Sequence, residues 1–134
     1  MLASAVVFAL TAYLADRYEI RIDPQVERCI PGARAFLVDT HTSDVEAGDL
    51  VAFQAPALGE LFDADAEFVK RVVAQPGQRV TVGPGDTRVG DQVVARGLGA
   101  AEALGVAPAR FVRTEMVPPD ALWVVAPGPR SVDS

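Results

Sequence analysis

The sequence predicts a mainly β domain preceded by an apolar helix. Three observations predict it. Short valine-rich apolar runs alternate with turn signals. Ten prolines and eleven glycines in 134 residues supply many turns. The first stretch, Met1 to Leu14 (MLASAVVFALTAYL), carries no charge. The length fits one domain, and half the residues are hydrophobic, so a core forms without staples. One cysteine excludes an internal disulfide framework, and one histidine excludes a multi-His zinc centre. The formal charge of −6, with no basic run, argues against nucleic-acid binding, which needs clustered Lys and Arg on phosphates.

Each element has its own signal. At about 1.5 Å per residue, Met1 to Leu14 spans roughly 21 Å as a helix, short of the ~30 Å hydrocarbon core. Three readings compete: a signal-peptide core, a buried core helix, or part of a membrane anchor. No Lys or Arg precedes the stretch and no clear small-x-small cleavage site follows it, which disfavours the first. The anchor reading places Tyr13, Arg17, Tyr18 and Arg21 at the interface, where aromatic and basic side chains collect. Residues 1–18 are therefore assigned to an anchor, expected to be incomplete, and 19–134 to the β domain.

Strands are expected at Ala35 to Val38 after the Pro31-Gly32 turn, at Leu50 to Phe53 after Gly48-Asp49, and at Phe68 to Ala74 before Pro76-Gly77. Arg79 to Val82 follows. A hairpin turns at Gly90-Asp91, and Leu122 to Val125 forms the last strand after Pro118-Pro119-Asp120. Residues 57–66 read as a loop or short helix, and Gly97 to Pro108 as an exposed Ala/Gly-rich loop with one helical turn. The acidic stretch Glu60 to Glu67 reads as a solvated surface or as the face toward a basic substrate segment. His41 reads as a solvated loop residue, Asp49 as turn chemistry, and Trp123 as packing.

Three segments stand out together: Arg28-Cys29-Ile30-Pro31-Gly32, Phe68 to Gly77 (FVKRVVAQPG), and Ser131-Val132-Asp133-Ser134. With the linking AGDLVAF they resemble the S26 signal peptidase family, in particular its conjugative-transfer, TraF-type branch. That family has a nucleophile beside a proline, a Gly-Asp strand, a Lys-Arg strand ending in Pro-Gly, and a terminal Ser-x-Asp-Ser-Arg. These stand here as CIPG, AGDLVAF, VKRVVAQPG and SVDS. The arginine expected after Ser134 is absent, so the catalytic domain is expected to continue.

The resemblance implies a signal-peptidase/LexA-like twisted β-sheet folded as a partly open barrel, with Cys29 where relatives carry the nucleophilic serine. It places Lys70 on the general base, Ser131 on the residue that hydrogen-bonds the lysine, and Asp133 on the bracing carboxylate. Glu27 stands where housekeeping enzymes place an oxyanion-hole hydroxyl, so backbone N–H groups would carry the oxyanion. The implied cleft lies between the segment before the nucleophile and the strand leading to the lysine, with Glu27, Arg28, Ile30, Pro31, Phe68 and Val69 against substrate. The implied setting is the periplasmic face of the inner membrane. The implied substrate is an exported precursor cleaved after small residues, a pilin precursor first of all, with no metal or organic cofactor.

The chemistry stands beside the family. A nucleophile needs an adjacent base, and Lys70 is the best placed. A free lysine is protonated at neutral pH, and burial among apolar groups disfavours that charge. A thiol needs less help than a hydroxyl, having a reference pKa of about 8.5. The intermediate would be a thioester, open to amines as well as water, which makes peptide cyclisation chemically reasonable. Taken singly, the residues have blander readings: the cysteine a small buried hydrophobe, Lys70 an edge-strand charge that blocks aggregation, and SVDS a simple turn. A catalytically silent assembly protein of the family and a LexA-like autoprotease are the alternative functions.

Overall fold

Helix α1, Leu2–Arg17, opens the computed structural model, which describes residues 2–22, 30, 32–55, 66–98, 101 and 105–126. Ala and Leu favour the helix, while Thr11 turns its hydroxyl back to the Val7 carbonyl at 2.9 Å. From Ala3 to Asp16 every side chain is exposed, and the helix meets the other described residues at its C-terminal end. No helix among the described residues is long and apolar enough to cross a membrane. The helix stops where Ile20 and Ile22 begin to alternate with Glu19 and Arg21, the period of a strand.

Strand β1, Tyr18–Ile22, pairs antiparallel with β2, Ala35–Asp39, setting Ile20 opposite Leu37. The end of β2 caps the helix. Thr40 donates both its amide (2.9 Å) and its hydroxyl (3.0 Å) to the Arg17 carbonyl, one of the carbonyls a helix C-terminus leaves unsatisfied. Arg17 in turn donates to Asp39 Oδ2 from Nε (3.0 Å) and Nη2 (2.6 Å).

The second sheet has the order β3-β4-β9, from Leu50–Gln54, Glu67–Ala74 and Trp123–Val125. The third has the order β7-β6-β5-β8, from Gln92–Arg96, Asp86–Val89, Arg79–Val82 and Arg113–Met116. All pairings are antiparallel, and the described strands form no closed barrel. Ala74, Val80, Val82, Val117, Trp123 and Val125 pack into one core where the second and third sheets meet. Trp123 is buried there, with the Arg113 guanidinium 5.2 Å from its ring centre.

The turn after β4 has proline at its second position and Gly77 at its third, with φ +80°. That is the type II arrangement, in which proline presets one angle and only glycine takes the next without strain. Gln78 N–H closes it on the Gln75 carbonyl at 3.1 Å. At the β6–β7 hairpin Gly90 takes φ +58° while Asp91 stays negative, as a II′ turn requires.

Three features depart from the sequence expectations. Tyr18–Ile22, read as a membrane-interface flank, is a strand. Arg113–Met116 is an edge strand with all four residues exposed, so no apolar alternation announces it. Ala101, inside the stretch read as an exposed loop, is buried.

Candidate active site

Lys70 sits on β4, the central strand of its sheet, and is only 2% exposed. This overturns the edge-strand reading: strands border β4 on both sides, and the amine is inside. Lys70 is also the only lysine in the chain, which otherwise uses arginine for every basic residue. That uniqueness is a compositional signal which singles out Lys70 independently of the strand pattern.

The alternation along β4 explains the burial. Phe68, Lys70 and Val72 share one face, and Val69 and Arg71 the other. Across the ladder, Val51 stands opposite Lys70 and Phe53 opposite Phe68. The Phe53 and Phe68 rings lie 6.0 Å apart and tilted, an apolar wall beside the lysine stem. A charge in such a place must be paired, hydrogen-bonded or neutralised. Among the described residues no buried side-chain nitrogen or oxygen lacks a hydrogen-bond partner.

The AGD turn fixes the strand. Gly48 N–H donates to the Val72 carbonyl at 2.8 Å, and Val72 N–H donates to the Asp49 carbonyl at 2.8 Å. Arg71, exposed on the far face, donates to the Gly48 carbonyl at 2.7 Å. Asp49 accepts the Glu46 N–H at 2.9 Å, which is turn chemistry as expected. Gly48 has φ +104°, closed to side-chain-bearing residues without strain. A register shift between Val72 and Ala74 then bends β4 as it passes β9, and β9 sets Val125 opposite Arg71.

Phe68 and Val69 are both buried but point to opposite faces, Phe68 with the lysine and Val69 away from it. Val69 lines an open cavity of about 480 Å³ between β2 and the β3–β4 pair, which the sequence did not announce. Ile30 is buried, and its carbonyl accepts the Ala33 N–H at 3.3 Å. Glu27, Arg28, Cys29, Pro31, Ser131 and Asp133 lie outside the described residues. His41 is exposed, with Nε2 3.2 Å from Asp16 Oδ2, and sits in the joint between helix and hairpin.

The family model for signal peptidase, peptidase S26, matches residues 1–134. The chain belongs to the S26 signal peptidase family. No curated protein and no solved structure matches it. Membership in S26 supports a signal-peptidase-like protease acting on exported precursor proteins. In this S26 chain, the VKRVVAQPG motif is the central strand of the candidate site, and AGDLVAF is the strand and turn that pin it.

Proposed function

We propose that this chain is a membrane-anchored endopeptidase of the TraF-type branch, using Cys29 as nucleophile and Lys70 as general base. The observation that carries this is the burial of the chain's only lysine in the middle of the family's Lys-Arg strand. The thiolate of Cys29 adds to the scissile carbonyl, Lys70 takes the thiol proton, and that proton leaves on the departing amine. The thioester then yields to water, which gives the free acid, or to an amine, which gives a new peptide bond. In either attack Lys70 takes a proton from the incoming water or amine and passes it to the departing Cys29 sulfur.

Ser131 hydrogen-bonds the lysine in this reading, and Asp133 braces it. The antiparallel pairing of β9 supports their placement, since the strand leaves Val125 heading toward the Lys70 end of β4. Substrate lies extended between the segment carrying Glu27, Arg28, Ile30 and Pro31 and the Phe68-Val69 stretch, adding a strand. An exported pilin-type precursor is the substrate, met at the periplasmic face of the inner membrane. Helix α1 supports the anchor: it carries no charge from Leu2 to Ala15, its side chains from Ala3 to Asp16 are exposed, and it meets the rest of the described chain at its C-terminal end, through Asp16 and Arg17.

The test is cleavage of an internally quenched peptide with alanine at the first and third positions before the scissile bond, the small-x-small pattern of exported precursors. The parent is expected to cut after the small residue, and Cys29→Ala to lose the activity. Cys29→Ala cutting as fast as the parent sinks the proposal.

A further inference from the structure

Two faces confront each other across the 480 Å³ cavity. On one side stand Phe36 and Val38 of β2; on the other, Ala52 and Val69, directly opposite one another in the β3–β4 ladder. Arg21 pairs in register with Phe36, so it shares the face of β1–β2 that looks into the cavity. Glu67 precedes Val69 by one strand period, so it shares the facing side of β4. Between them, Arg21 Nη1 donates to Glu67 Oε1 at 2.6 Å. Arg21 Nη2 meanwhile donates to Glu19 on its own strand, which holds the guanidinium in line. The ion pair is thus a rung from the hairpin to the lysine-bearing strand. Its two ends stand on β1, which precedes Cys29 in the sequence, and at the start of the strand that carries Lys70.

We propose that the Arg21–Glu67 pair is a strut that sets the width of this cavity, and with it the grip on the extended substrate segment before the scissile bond. This rests on the peptidase reading above. Arg21 is then a positioning residue: it touches no reacting atom and acts through the spacing of the two strands. Both side chains are about a third exposed or more, so the pair adds little to stability. Its leverage is geometric, and it is open to screening by salt.

With the quenched alanine peptide, Arg21→Gln and Glu67→Gln are each expected to raise KM about fivefold and to change kcat much less, the scale of one exposed ion pair. The double variant is expected to be no worse than either single, and Arg21→Lys to recover most of the loss. The parent's KM is expected to climb with salt, and that of Glu67→Gln to stay flat. A purely structural role would instead lower kcat and the melting temperature together. Parent-like KM in Arg21→Gln, or additive losses in the double variant, overturns the strut. Hydrogen exchange reads the same spacing without substrate: the Phe36 to Val38 amides are expected to exchange faster in Arg21→Gln, with β5 and β6 unchanged. Parent-like exchange overturns the strut whatever the peptide assay gives. Failure of the peptidase reading shows separately, as Lys70→Met cleaving like the parent.

Discussion

Lys70 is where charge, burial and position converge on one side chain. A polar amine inside a sheet is a cost to folding unless it is bonded, so removing it while keeping its volume tests what it is for. Lys70→Met is expected to abolish peptide cleavage, by about 10³-fold or more for loss of a base acting with its nucleophile as a unit. Its melting temperature is expected to fall only modestly, because Met keeps the volume and the apolar contacts of the stem while the group that bonds the amine loses one partner. Kinetics beside a melting curve checks both halves, and a variant that cleaves normally removes Lys70 from the mechanism. The lysine's importance was legible in the sequence from its valine-rich strand and the Pro-Gly that ends it. Its central position was not, because Lys-Arg inside a strand reads equally well as an edge device until the partners of that strand are known. Cys29, Ser131 and Asp133 rest on motif alone.

Among the elements, those with a turn signal at one end and an apolar run at the other were legible: β2 to β5 and β9 fall within a residue of expectation, and β6 and β7 form the hairpin expected at Gly90-Asp91. Strands β1 and β8 were not. Arg113–Met116 has no buried face to imprint a pattern, and the Glu-Ile-Arg-Ile alternation of β1 was masked by an anchor reading that claimed its aromatic and basic residues. The cavity was invisible for a different reason: it arises from how β2 lies against the β3–β4 pair, which no local pattern encodes. The turn that ends β4 makes its own prediction. Gly77→Ala is expected to cost about 1 kcal/mol, since φ +80° disfavours any side chain even where space is free. Denaturant unfolding checks it, and unchanged stability contradicts the type II assignment.

The joint of helix and hairpin predicts a pH dependence. Arg17's hydrogen bonds hold the Asp39 carboxyl below its ordinary 3.8, and the His41 amide adds to the effect. A depressed acid contributes stability above its unfolded value and loses it as pH falls through the folded one. The clamp is therefore expected intact at neutral pH and released only below about 3.8. Protection of the Thr40 amide, taken relative to its intrinsic exchange rate at each pH, is expected to fall over that acid range in the parent and to be low throughout in Asp39→Asn; a loss of protection beginning near neutrality contradicts the assignment.

At the scale of the whole molecule, the chain divides between a helix that buries nothing of itself and a β domain with its own core. A helix without a charge from Leu2 to Ala15 and exposed on every side has no favourable place in water. The chain is expected to float with lipid vesicles, and Phe8→Asp to weaken that association by an order of magnitude or more, since a carboxylate in hydrocarbon costs about 2.5–3.5 kcal/mol. Equal flotation of parent and variant contradicts an anchoring role for α1. The β domain in turn has one strand, β4, on which the family motif, the buried amine, the cavity wall and the strut all meet. The account stands or falls on whether chemistry happens there through a thioester. Rapid acid quench of the chain with the alanine peptide, followed by digestion and mass spectrometry, reads this directly. The account predicts the acyl fragment of the substrate on the peptide containing Cys29, absent in Lys70→Met; an adduct elsewhere, or one equally abundant without Lys70, would contradict it.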